Sequence, residues 1–220
     1  GDILQFRKDG TTVGSIGTDY GDIYIGSGHV GLSFNDSGSE ILPYSSTDGA
    51  WKDGHTDIGT SSYRFKDLYL SGGVYLGGTG AANYLSEYEE GVWTPDPQDS
   101  SGNSGSAGAV AGNYTKIGNV VHATVYLSAI NTSGLTGGND FRIYGLPFSA
   151  KALAEAQFFT GAARMNDVTF SGNPNLAILD SSDFIRIAES NSGTASDFVV
   201  VSQVASGTGD IYGSITYMTN

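Results

Sequence analysis

The chain has 220 residues, enough for one large or two small domains. Its net charge is −13, with 10 Lys and Arg against 23 Asp and Glu, which disfavours nucleic acid or an anionic membrane surface as partner. With no cysteine, disulfides and thiolate metal sites are excluded, and no apolar run approaches the ~20 residues of a membrane-spanning helix.

Glycine supplies 33 residues, without a collagen-like Gly-X-Y period. Together with Tyr, Thr, Ser and Val it points to short strands and tight turns, an all-β protein. The chain opens Gly-Asp-Ile without Met and in mid-pattern, which reads as part of a longer protein.

Residues 1–57 read as a Gly-rich β shaft. Short strands are expected at Ile3–Lys8, Thr12–Ile16, Asp22–Ile25, Val30–Phe34 and Glu40–Tyr44. Asp9-Gly10, Tyr20-Gly21, Gly26–Gly28 and Ser37-Gly38 supply the turns. Strands of this length make a sheet too narrow for its own core. Two builds follow. Three copies intertwined about one axis would bury Ile3, Leu4, Phe6, Val13, Ile16, Ile23 and Ile25; otherwise the segment is a small hairpin unit of one chain. Residues 45–57 read as a loop, with Trp51 as a packing anchor.

Residues 58–90 read as a closing segment and neck. Tyr63, Phe65, Leu68, Leu70, Val74 and Leu76 alternate at strand spacing. Phe65, Leu68, Leu70, Val74 and Leu76 are the candidate trimer core. Asn83–Glu90 reads as one helical turn.

Residues 91–220 read as a β-sandwich head of jelly-roll type. Strands are expected at Gly91–Thr94, Gly112–Ile117, Val120–Ile130, Asp140–Pro147, Ala154–Met165, Leu176–Asp180, Phe184–Ala188, Phe198–Ala205 and Asp210–Thr219. Within 120–129, Val121, Ala123, Val125, Leu127 and Ala129 share one face.

Three runs resemble the C-terminal shaft and head of tailed-bacteriophage tail fibres. They are Arg64-Phe65-Lys66-Asp67-Leu68-Tyr69-Leu70, Tyr88-Glu89-Glu90-Gly91-Val92-Trp93-Thr94-Pro95 and Gly112-Asn113-Tyr114-Thr115-Lys116-Ile117-Gly118-Asn119-Val120-Val121-His122. The resemblance spans roughly residues 58–148. It implies a homotrimeric tip at the distal end of a virion tail fibre, touching a bacterial surface glycan or outer-membrane component.

Antiparallel strands reverse at each connection, so the connections alternate between two ends. Asp96–Ala111, Asn131–Asn139, Asn166–Asn175 and Glu189–Asp197 are expected at the far end. Gly118-Asn119, Ser149–Leu153, Ser181–Asp183 and Ser206–Gly209 are expected at the neck end. The first set is longer and rich in Asn, Ser and Gly, the usual character of contact loops. Planar amides, carboxylates and Arg suit paired sugar hydroxyls. The candidate receptor-binding residues are Asn131, Asn139, Asp140, Arg164, Asn166, Asp167, Asn173, Asn175 and Asn191, with Phe170 as a platform or as core. The Ser- and Gly-rich 96–111 loop reads as a mobile lid or spacer.

Candidate chemistry is thin. Gly26-Ser27-Gly28-His29-Val30-Gly31 matches a dinucleotide fingerprint, but a strand follows where a helix is needed. His29, His55 and His122 fit no metal spacing, and no Gly-x-Ser-x-Gly elbow exists. Asp48, Asp53 and Asp57 miss the Ca²⁺-loop pattern. Neither cofactor nor metal is expected. A polysaccharide depolymerase needs two carboxylates in a cleft, and spikes that cut generally rest on a long β-helix for which this chain lacks room. The expectation is therefore a binder without catalysis, the alternatives being a small depolymerase or a capsid-attached fibre.

Overall fold

The computed structural model describes residues 1–154, 157–191 and 197–220, and it divides into two units, Gly1–Tyr69 and Leu70–Asn220. Every strand pairing among the described residues is antiparallel.

The first unit is a six-stranded meander of Asp2–Lys8 (β1), Thr11–Asp19 (β2), Asp22–Ser27 (β3), Val30–Asn35 (β4), Glu40–Ser45 (β5) and Ala50–Trp51 (β6), in sequence order. Asp9, Gly10, Tyr20 and Gly21 all take positive φ, the conformation that two-residue hairpins demand. The hairpins pair within one chain, and an intertwined shaft is not shown. The two faces differ sharply. On one, Tyr24 and Tyr44 stack at 4.5 Å, and the Tyr24 ring lies over Gly17, its cross-strand partner. On the other, Ile23, Ile25, Leu32, Phe34 and Ile41 are 43–64% exposed. Trp51, expected to anchor the loop, sits in β6 and is half exposed, with its ring 6.2 Å from Tyr20.

The alternating stretch from 58 to 76 does not form the expected strand. Thr60 and Tyr63 close a turn, and the strand is reduced to Val74–Tyr75 (β7), paired with Tyr84–Leu85 (β8). Alternation fixes only the side on which a residue points; a strand also needs an edge to bond, and the single chain offers none there. Phe65, Leu68, Leu70, Val74 and Leu76 are 37–77% exposed in the single chain. The helical turn expected at Asn83–Glu90 is also absent. A 3-10 turn covers Ala81–Asn83, and strand resumes at Tyr88.

The rest of the second unit is one curled sheet. Its strands are Tyr88–Trp93 (β9), Asp96–Asp99 (β10), Ser106–Ile117 (β11), Val120–Asn131 (β12), Phe141–Tyr144 (β13), Phe158–Asn166 (β14), Asn173–Leu179 (β15), Ile185–Ser190 (β16), Asp197–Phe198 (β17) and Gly209–Met218 (β18). The order is β10-β13-β16-β15-β14-β18-β12-β11-β9, with β17 beside β16. The edge strands β9 and β10 are consecutive in the chain, and Gly105 N–H donates to the Pro97 carbonyl at 2.8 Å, which draws the sheet round on itself. This all-β build is of the sandwich type, and one core fills it. Val121, Leu127, Ile130, Phe141, Ile143, Leu176, Ile178, Ile185, Ile187 and Ile211 are fully buried.

Three expectations fail for local reasons. Residues 96–111 are not one open loop but β10 and half of β11. Ala129 does not continue the buried face, because it takes φ 52° in a bulge and the register slips between Leu127 and Ile130. Phe198–Ala205 is not a full strand. After β17 the chain crosses the end of the core, bonding Val199 to Ile187 and Phe141 and Val201 to Asn139, then makes a 3-10 turn at Val201–Gln203. The first residues of the expected strand Ala154–Met165, and most of the connection Glu189–Asp197, include positions 155–156 and 192–196, outside the described residues.

Candidate functional site

Strand directions place connections 100–105, 132–140 and 167–172 at one end of the second unit, opposite the tight turn Gly118-Asn119. Ser206–Gly209, assigned above to the neck end, lies at the loop end. Ser206 Oγ meets Asn131 Oδ1 at 3.3 Å, and Gly207 N–H donates to the Ile130 carbonyl. The reason is the failed strand: a segment that does not cross the sheet does not reverse the count.

Three carboxylates tie these loops from below, and sequence reasoning missed all three. Asp99 is fully buried and accepts from the Asn103 side chain at 2.8 Å and from the backbone N–H groups of Ser101, Asn103 and Thr136. Those donors, Asn103 foremost, hold its carboxyl well below the usual range. The 100–105 loop is therefore pinned to the 132–140 loop instead of forming a lid. Asp210 accepts from Ala129 N–H at 2.9 Å, Ser128 Oγ at 2.8 Å and Asn166 Nδ2 at 3.2 Å, so it clasps the bulge to the end of β14. The Ala129 N–H, then Ser128 and Asn166, lower its pKa to about 2. Glu189 is buried too. Burial raises its pKa, but hydrogen bonds from Ser171 and Gln203 outweigh that, and the net direction is down. The available signal was a carboxylate beside Asn, Ser or Gly, which is also the signature of any turn.

The expected binding residues fall into two groups. Asn131, Asn139 and Asn166 bond across neighbouring loops, Asn139 through Ser101 at 2.9 Å. Asp167 takes positive φ and its carbonyl accepts from Ala205 N–H. Asn173 and Asn175 start β15; the Asn175 amide lies 3.4 Å from Ser190 Oγ, and Asn191 follows the end of β16. Asp140 bridges to Val200 and lies 3.8 Å from Arg142. Arg164 is apart from the loops, out on the sheet face over Tyr212 at 5.8 Å. Phe170 is partly buried and packs against the core.

The histidines make no catalytic set. His29 Nδ1 meets Asp48 at 3.2 Å and Ser45 Oγ at 3.4 Å, and Ser45 also donates to that carboxylate, so serine and acid share one ring nitrogen instead of flanking the imidazole. His122 meets Thr216 Oγ1 at 3.0 Å. Among the described residues no cluster of His, Asp and Glu is arranged to hold a metal.

No protein-family model matches the chain, and no curated protein is significantly similar to it. A solved structure, the crystal structure of Dettilon tailspike protein (gp208), is similar with a TM-score of 0.46 and 17% identity, over 60% of this chain and 24% of that one. The chain thus spans about a quarter of the tailspike it matches. The expectation of a binder without catalysis is not upheld: the solved structure found similar is a tailspike, and catalysis stays open. The likeness does not separate a binding tip from a spike that cuts.

Proposed function

We propose that the chain is the host-contacting part of a phage tail fibre or spike, assembled as a homotrimer, which attaches the virion to a bacterial surface glycan or outer-membrane component. The observation that carries this reading is the gathering of Asn-, Ser- and Gly-rich connections at one end of a strand frame, tied from below by Asp99, Asp210 and Glu189. Loops held on such a frame are where contact residues concentrate. The runs Arg64–Leu70, Tyr88–Pro95 and Gly112–His122, which resemble fibre tips, support the assignment to a virion.

The trimer is supported by the apolar face of the first unit. Five large side chains there are 43–64% exposed in one chain. Fully burying one such side chain contributes ~1.5–3 kcal/mol, so covering the face strongly favours assembly. Three copies also multiply weak contacts with a repetitive surface.

Adsorption of the labelled chain to a panel of bacterial strains, with its mass from light scattering, tests the reading. Asn173→Ala is expected to weaken adsorption and leave the melting temperature nearly unchanged, whereas Asn166→Ala, which takes a donor from Asp210, and Asp167→Ala, at a positive φ, are expected to weaken adsorption with some loss of stability. Ser181→Ala and Ser182→Ala, at the other end, are expected to leave adsorption intact. Adsorption lost only from the second pair, or the mass of one chain at micromolar concentration, would overturn it. New reducing ends after incubation with the bound strain's polysaccharide would identify a spike that cuts.

A further inference from the structure

The outward face of the curled sheet carries a feature separate from the loops. Arg142 on β13 and Arg186 on β16 lie directly opposite one another. Their guanidinium carbons stand over the Phe184 ring at 4.4 and 5.2 Å, and that of Arg186 also over Phe198 at 4.7 Å. Like charges facing each other across a ladder repel. Arg142 has Asp140 at 3.8 Å and donates to the Tyr144 hydroxyl at 3.3 Å. Among the described residues Arg186 has no ion pair, and the Nε of both arginines is buried without a hydrogen-bond partner. Burial, and next the charge of Arg142, push the Arg186 pKa down. In a chain of net charge −13, two of the ten Lys and Arg side chains are thus held side by side, with Asp140 paired to Arg142 alone.

Phe198 is also a wall of a groove of about 590 Å³ over β14, β15 and β16. Phe158 packs against Phe198, with ring centroids 5.9 Å apart, so the two rings form one continuous aromatic wall. The floor is made of small side chains, Ala162, Ala177 and Ala188, and Asn175 and Ser190 bring an amide and a hydroxyl to the rim. A smooth apolar floor beside this aromatic wall suits the apolar face of a pyranose, and the rim groups suit its hydroxyls. A guanidinium fork suits a carboxylate, sulfate or phosphate.

We propose that this groove binds an acidic sugar of a surface polysaccharide, its ring against Phe158 and Phe198 and its anionic group on Arg186 and Arg142. The inference rests on the host-attachment reading and names its ligand class. The two arginines supply local attraction where the rest of the acidic chain repels such a polymer.

The test is retention of the full chain on immobilised polygalacturonate, hyaluronan and dextran sulfate, with uncharged dextran as reference. Retention on at least one acidic polymer is expected, weakening as salt rises. Arg186→Gln and Arg142→Gln should each weaken it at least about tenfold, the loss of one charge-assisted contact. Ala162→Trp, which fills the groove from an exposed position, should do the same with both arginines in place. The uronate and sulfate arms tell which anion is preferred. No retention above dextran on any acidic polymer, or retention indifferent to all three substitutions, would overturn the proposal. A changed oligomeric mass in Ala162→Trp with retention intact would overturn it as well, by showing the face to be an interface between copies. Cells that still adsorb the chain while acidic polymers do not would sink this inference alone; cells that do not adsorb it would sink the host-attachment reading.

Discussion

Replacing Gly112 by Ala strikes at the packing between β9 and β11. Gly112 faces Trp93 across the ladder, and Tyr114 on the same strand faces Gly91, so each strand gives a glycine to the other's aromatic ring. A Cβ on residue 112 falls 2.5 Å from Trp93 Cε2 and 2.7 Å from Cδ1. The indole is buried and its Nε1–H donates to the Thr124 carbonyl at 3.0 Å, so it cannot tilt away freely. Overpacking of this kind costs ~1–3 kcal/mol. Straining the indole hydrogen bond adds ~0.5–1.5 kcal/mol, for about 1.5–4.5 kcal/mol together. For a unit of this size that lowers the melting temperature by roughly 5–15 °C. Near-UV circular dichroism during heating reads it, because the other tryptophan, Trp51, is half exposed. Adding Trp93→Leu should recover part of the loss, since the two sites are in contact. A melting temperature within about 1 °C of the parent would refute the reciprocal packing.

Leu32→Asp separates an exposed face from a covered one. At a site 47% exposed in one chain the change should cost no more than about 0.5 kcal/mol, yet if copies cover the face the mass should fall to a single chain; an unchanged trimer would show the face is not buried. The pKa values of Asp99, Asp210 and Glu189 are depressed in the folded state, so their stabilisation is present above the unfolded values near ~4 and lost as pH falls through the folded ones. The melting temperature should therefore be flat from pH 7 to about 5 and drop between about 4 and 2, and a drop already complete above about pH 5 would contradict this assignment. Asp99→Ala should speed amide exchange at Ser101, Asn103 and Thr136 together, since one carboxylate holds all three; exchange faster at only one of them would mean the loops are held separately.

Much of the frame was legible. The first five strands and the long β11–β12 hairpin follow from period-two alternation and Asp-Gly or Gly-Asn turns. Asp96-Pro-Gln-Asp was missed because a proline and two acids read as loop. It is an edge strand, the place where a residue without an N–H is tolerated, and the Pro97 carbonyl still accepts from Gly105. Phe198-Val-Val-Val was read as a strand because buried valines look alike in any extended segment. Its backbone instead bonds to Ile187, Phe141 and Asn139 in turn. The bulge at Ala129 depends on Asp210, 81 residues away, which no local pattern carries. The Arg142–Arg186 pairing escaped notice for the same reason: it exists only in the register between β13 and β16.

Val199, Val201 and Val204 lie across the loop end of the core, and isolated bridges at Asp140–Val200 and Val168–Val204 fasten them. They work as a stopper between the interior and the outermost residues. Changes at Asn131, Ser133 or Asn173 meet this stopper or solvent, not the packed isoleucines beneath. Single substitutions at such outermost positions can therefore alter the loop surface without disturbing the interior, whereas replacing the whole 132–138 connection would also take Leu135 from the core and the Thr136 N–H from Asp99.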